Sequence, residues 1–226
     1  MRWIILKKII WIFGQSATGK KTLINKLLKH DESTLMDLGL SGSNIWACEA
    51  TINDDKKITP KINDVFLYND VNLEKDNAYF NQRKAINRRS CIMTDTVRFI
   101  NDKDADVLLI KGQDNDIWPN RGDIVKNFLW NFCLQDIEVE VFILSVLDDE
   151  VWKKRIVSKK WFQDFKEKDF IMKKMLMERK NKSHEKRVIQ AFDAANIPIK
   201  IIDSSSKHYE IVDELNKAKR GKLWEK

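Results

Sequence analysis

A chain of 226 residues, 43% hydrophobic and 33% charged, suits one globular α/β domain and is too apolar to be a disordered polymer. Its net charge of +7 points to an anionic partner, a nucleotide or a nucleic acid. Cys48, Cys91 and Cys133 are scattered without metal-ligand spacing, as are His30, His184 and His208, so reduced thiols and no zinc site are expected. Arg2 and the apolar Trp3–Leu6 loosely suggest a leader, but Lys7-Lys8 interrupts the run. No other stretch reaches membrane-spanning length, and the expectation is a cytoplasmic protein with no membrane contact and no obligate protein partner.

The first strong feature is the apolar run Ile9–Phe13, which empties into Gly14-Gln15-Ser16-Ala17-Thr18-Gly19-Lys20 and then a helix-compatible run from Lys20 to His30. Gly14 and Gly19-Lys20 stand at the G-x-x-x-x-G-K spacing of a phosphate-binding loop, in the strand–loop–helix context that such a loop requires. Glycines allow the backbone to turn with its N–H groups inward, and the helix N-terminus adds partial positive charge where an anion would sit. Lys20 supplies a mobile point charge for the β- and γ-phosphates. The strict motif continues with Ser or Thr; here Lys21 follows, and the hydroxyl comes one place later at Thr22. Lysine has no lone pair for Mg²⁺. The form Gly-Lys-x-Thr resembles that of nucleoside monophosphate kinases of the adenylate-kinase type, within the P-loop kinase superfamily. That resemblance implies ATP and Mg²⁺ as cofactors, a cradle formed by Gly14, Ser16, Ala17, Thr18, Gly19, Lys20, Lys21 and Thr22, and Thr22 as the metal-side hydroxyl.

Downstream, Thr34–Leu38 is predicted to be a short second strand ending beside Gly39, which puts Asp37 at a strand's carboxyl end, where ligands of open parallel sheets bind. P-loop polynucleotide and nucleoside kinases commonly have an acid there to orient the attacking hydroxyl, and Asp37 is similar in position. Residues 44–52 and 61–69 are β-like, around a polar 53–57, and predict either a β-hairpin insertion at about 41–63 or an extra strand leading into Val65–Tyr68. Asp70 ends the second segment and rivals Asp37 for the catalytic or Mg²⁺ role. From Leu73 to Asn101 the pattern is helical, with Arg83, Arg88, Arg89 and Arg98. Arg88 and Arg89 are the better candidates to grip a substrate phosphate.

Asp106–Gln113 holds a continuous apolar run expected of a buried strand. Where many P-loop proteins have a Mg²⁺-directed aspartate, Lys111 stands, and acids come only at Asp114 and Asp116. The loop Gln113–Asp123, with Trp118, Pro119 and Arg121, is read as facing the substrate. A helix over Asp123–Cys133, a buried strand over Val139–Val146 and a helix from Asp148 follow, the last carrying Arg155 and leading to the basic–aromatic Lys159-Lys160-Trp161-Phe162. The resemblance to nucleoside monophosphate kinases implies a lid at about 156–185. Arg155 matches its basal arginine, and Arg179, Lys180, Lys182 and Arg187 would lie on the returning arm. A last strand over Ile197–Asp203 and a helix over Tyr209–Lys219 close the chain.

The expected fold is therefore a P-loop NTPase-type α/β domain, a parallel sheet with helices on both faces and a helical lid. The expected activity is ATP-dependent phosphoryl transfer, with Lys20, Asp37 and Arg155 catalytic and Asp70, Arg88, Arg89, Gln113, Trp118 and Arg121 on the substrate side. The basic surplus and Trp46, Trp118 and Trp161 in expected loops favour a nucleic acid acceptor, because aromatic faces stack on bases. The loop together with Asp104–Gln113 also resembles phage-encoded kinases that phosphorylate 5-hydroxymethyluridine in DNA. A free-nucleotide kinase and a P-loop ATPase without transfer are the alternatives. A GTPase is disfavoured, because neither N-K-x-D nor D-x-x-G occurs.

Overall fold

A computed structural model describes residues 7–52, 58–62, 65–66, 105–112, 137–193 and 197–215. Within them an eight-stranded sheet is built from β1 (Lys8–Gly14), β2 (Ile45–Ile52), β3 (Ile58–Ile62), β4 (Val65–Phe66), β5 (Val107–Lys111), β6 (Glu138–Ser145), β7 (Ile199–Asp203) and β8 (Glu210–Leu215), in the order β4-β3-β2-β5-β1-β6-β7-β8. The five inner strands β2, β5, β1, β6 and β7 are parallel, and β3, β4 and β8 add antiparallel edges. The described helices are α1 (Lys20–Leu28), α2 (Glu32–Asp37), α3 (Asp149–Val157), α4 (Lys160–Gln163), α5 (Lys168–Lys180) and α6 (Ser183–Asp193).

Central position explains why β1 and β5, and β6 over Val141–Leu144, read as unbroken apolar runs, since both of their faces are covered. Alternate residues of β1 serve different layers. Ile9, Trp11 and Phe13 pack with Val188 and Phe192 of α6, and Ile10 and Ile12 pack with Leu23 and Leu27 of α1. A third apolar cluster, Val146, Trp152, Ile156 and Phe162, joins α3 and α4 to Ala17 and to Ile171 and Met175 of α5. Helices thus lie on both faces of the sheet, and α3–α5 form a helical cap that reaches the turn after β1. Among the described residues, no helix is long and apolar enough to cross a membrane.

Two local expectations are overturned. Thr34–Leu38 is not a strand, because Asp31 caps a helix there by accepting from Thr34 N at 2.9 Å, and Leu35 and Leu38 turn a helical stripe into the core. The residues after Tyr209 do not begin a helix. They form the edge strand β8, with Ile211 half-buried against the core and Val212 outward, paired antiparallel to β7. β2 and β3 pair antiparallel, with Ile52 opposite Ile58, but β2 also runs parallel to β5, so this hairpin is part of the main sheet rather than an insertion at about 41–63, and Val65–Phe66 continue it as β4. Trp46 lies within β2, half-buried against the core, rather than in a loop.

One charge sits inside this architecture. Glu140 on β6 is 4% exposed, with Lys200 Nζ 2.7 Å from Oε1 and Lys8 Nζ 3.4 Å from Oε2. Partial burial pushes the Lys8 pKa down, but the carboxylates of Glu140 and Glu138 outweigh it and hold the ammonium above its usual value. Glu140→Ala would remove the carboxylate shared by two half-buried ammonium groups, of which Lys8 keeps Glu138 at 3.2 Å. The expected loss is about 1–2 kcal/mol of unfolding free energy in urea titration, and a gain in stability would contradict this role.

Candidate functional site

β1 ends at Gly14, whose φ of 152° is reserved for glycine and whose Cα is crowded: an added Cβ would lie 2.5 Å from Thr18 Oγ1 and 2.6 Å from Leu144 O. The chain then turns through Ala17 (φ 65°) and Gly19 (φ 90°), the N-cap of α1. Buried Thr18 closes the turn from within, its hydroxyl donating to Gln15 O at 2.9 Å. Lys20 curls back over the turn, and its ammonium donates to Gly14 O and, at 3.3 Å, to Gln15 O. Lys21 and Thr22 are exposed on the first turn of α1.

This turn lies where the sheet's connections diverge. From β1 the chain enters α1 on one face, and from β6 it proceeds through the cap to α6 on the other. β1 and β6 are neighbours, with Gly14 opposite Leu144. The crevice at their carboxyl ends is therefore a topological switch point, the position where open α/β sheets bind ligands.

Several residues that the sequence did not single out brace the turn. Trp152 of α3, fully buried, donates Nε1–H to Ser16 O at 3.2 Å. Ser204, just after β7, donates its hydroxyl to Thr18 O at 2.7 Å and its N–H to Ser145 O at 2.8 Å. Asp203 secures the surrounding loops by accepting from Leu147 N at 3.0 Å and from the Ser205 hydroxyl at 2.6 Å. Partial burial pushes its pKa up, but these hydrogen bonds together outweigh that and keep the carboxyl below its usual value. On the opposite side of β6, Ser145 Oγ donates to Glu185 Oε1 at 3.4 Å.

The remaining expected residues are placed as follows. Asp37 ends a helix, not a strand; its Oδ2 accepts from Tyr209 N at 3.1 Å and lies 3.7 Å from His208 Nδ1, so the carboxylate ties α2 to the start of β8. The strand-end premise for a catalytic Asp37 is thereby removed. Arg155 is half-buried on α3, and its Nη2 donates to Ser204 O at 2.7 Å and Ser205 O at 3.4 Å, holding the loop that holds the turn. Arg179 reaches back to Asp149 Oδ1 at 2.6 Å and to Val146 O, with its guanidinium 5.3 Å from the centre of the Trp152 ring. Asp70, Arg88, Arg89, Gln113, Trp118 and Arg121 lie outside the described residues.

Among the described residues, no three His, Cys, Asp or Glu side chains stand together as a ready metal site. A cleft of about 540 Å³ opens at the far end of α1, lined by Lys29, His30, Asn44 and Trp46 among others, and shares no residue with the turn. Neither the protein-family models nor the curated proteins compared with the chain give a match.

Proposed function

We propose that the chain is an ATP-dependent phosphotransferase of the P-loop kinase type, acting on a hydroxyl of a nucleotide unit. The observation that carries this reading is the Gly14–Lys20 turn, wrapped beneath the Lys20 ammonium at the β1/β6 switch point. The inner parallel strands, numbered among themselves along the chain, are ordered 2-3-1-4-5 with the turn after the central one, which also suits a P-loop NTPase architecture. The chemistry of the turn suits a triphosphate, because Gly19 leaves open space at the N-terminus of α1 and Lys20 brings a cation beside it.

In this reading Lys20 and the amides of 16–22 would hold the β- and γ-phosphates, and Thr22 would be the hydroxyl that holds Mg²⁺, whose charge would offset that of the phosphates. An aspartate accepts the proton of the attacking hydroxyl as the new O–P bond forms and the bond from the γ-phosphorus to the bridging oxygen breaks, releasing ADP. Asp37 and Asp70 remain the two candidates, and Asp37 has one oxygen engaged by Tyr209. Arg155 acts by holding Ser204 and so shaping the turn.

We place the acceptor in DNA, with 5-hydroxymethyluridine the best candidate. Trp161 and Phe165 support this placement. They form an exposed edge-to-face pair with ring centres 5.9 Å apart, Trp161 in α4 rather than in the expected loop and Phe165 just after it, among exposed Lys159, Lys160 and Lys166. Incubation with γ-labelled ATP should move label into DNA that carries hydroxymethylated pyrimidines and leave unmodified DNA and free nucleoside monophosphates unlabelled. Label in the free nucleotides alone would make this a nucleotide kinase, and label only in inorganic phosphate would end the kinase reading.

A further inference from the structure

We infer that Trp152 and Ser204 are positioning residues that aim two backbone amides of the Gly14–Lys20 turn at a bound anion. The inference rests on the phosphate-binding reading above. A trans peptide is planar, so the C=O of one residue and the N–H of the next point in opposite directions. Whatever pins a carbonyl outward therefore turns the following amide inward.

Two carbonyls of the turn are pinned from outside it. Trp152 Nε1 donates to Ser16 O at 3.2 Å, which directs the Ala17 N–H away from the cap. The Ser204 hydroxyl donates to Thr18 O at 2.7 Å, which directs the Gly19 N–H away from the β7–β8 loop. Neither amide has an acceptor among the described residues. Ala17 holds its φ of 65° without the freedom of glycine, a conformation that needs support from its surroundings.

Both donors are themselves fixed. The Trp152 ring is fully buried, packs with Val146, Ile156 and Phe162, and carries the Arg179 guanidinium at 5.3 Å. Ser204 is 3% exposed and bonded through its own N–H to Ser145 O, while Arg155 holds its carbonyl. The two amides are thus oriented before any ligand arrives, which lowers the cost of binding a multiply charged phosphate.

The test uses the full chain with inorganic tripolyphosphate and ATP as probes. Trp152→Phe keeps an aromatic ring in the cap but removes the indole donor together with part of the buried ring, and Ser204→Ala removes the hydroxyl that faces Thr18 O and Ser145 O. Each should weaken tripolyphosphate and ATP binding about tenfold, the effect of one misdirected hydrogen bond to a charged group, and each should also lower the melting temperature, because a turn carbonyl loses its donor and Trp152→Phe leaves a void in the cap. Amide NMR separates positioning from general loosening. In the parent chain, tripolyphosphate should shift both the Ala17 and Gly19 amide protons. Trp152→Phe should lose the Ala17 response and keep that of Gly19, and Ser204→Ala should do the reverse. Parent-like affinity and both responses in the two variants would overturn the inference while the phosphate site stands. A parent chain that binds no tripolyphosphate would overturn both.

Discussion

Lys20→Ala is expected to lower phosphoryl transfer by about 10³-fold or more without lowering the unfolding midpoint. The ammonium rests on Gly14 O and Gln15 O, two carbonyls at the mouth of the turn, within reach of any anion seated among the amides that follow. In a site that excludes water, one such charge stabilises the transferring phosphoryl group far more than it would in solution. Its effect on folding is small. The side chain stands at the positive end of α1, where a cation is unfavourable, so the repulsion its loss relieves offsets the loss of its hydrogen bonds to Gly14 O and Gln15 O. Initial rates with γ-labelled ATP, read beside a thermal melt, check both halves. A rate within tenfold of the parent would remove Lys20 from the chemistry.

Gly14→Ala should damage fold and site together. The new methyl would meet Thr18 Oγ1 at 2.5 Å and Leu144 O at 2.6 Å, and neither can retreat easily. Thr18 is buried and bonded to Gln15 O, and Leu144 is held in β6 directly opposite Gly14. Overpacking costs about 1–3 kcal/mol, and forcing a side chain onto a glycine-type backbone angle adds about 1–3 kcal/mol. A loss of about 3 kcal/mol or more is therefore expected in urea unfolding, with ATP binding abolished. Gly19→Ala is the control. Its φ is also positive, but an added Cβ meets nothing within 4 Å, so only backbone strain of about 1–2 kcal/mol remains. Equal losses at the two positions would show that crowding at Gly14 is not what shapes the turn.

How far the sequence reveals this arrangement depends on whether a signal is local. β1, β5 and the Val141–Leu144 part of β6 are legible because strands covered on both faces carry apolar residues without a break, and β7 is legible from its β-branched Ile199, Ile201 and Ile202. Gly14, Gly19 and Lys20 are legible for a similar reason, since one turn and one helix start contain the whole pattern. Thr34–Leu38 is misread because five residues are too few to separate a strand from a helical turn, and the deciding signal is the cap at Asp31 just outside them. β8 is misread because its pairing with β7, not its own periodicity, makes it a strand. Trp152 and Ser204 are out of reach of any motif. Their hydrogen bonds to the turn span 136 and 186 residues of chain, and only the folded sheet brings them there.

The same long-range contacts reassign two residues. Arg155 looks like a free lid arginine by position, yet it spends Nη2 on the Ser204 and Ser205 carbonyls. Asp37 looks like a strand-end acid, yet it secures the start of β8. Arg155 serves the frame around the turn and Asp37 the junction of α2 with β8, and the transfer rates of Asp37→Asn and Asp70→Asn decide between the two candidate acids.

The central claim is that the Gly14–Lys20 turn receives a triphosphate tail, and a crystal of the chain with a non-hydrolysable ATP analogue and Mg²⁺ tests it most directly. The phosphates should lie within hydrogen-bond distance of the Ala17 and Gly19 amides, with Lys20 Nζ moved from Gly14 O onto a phosphate oxygen. Phosphates bound anywhere else, with Lys20 still on its own turn, would contradict the account.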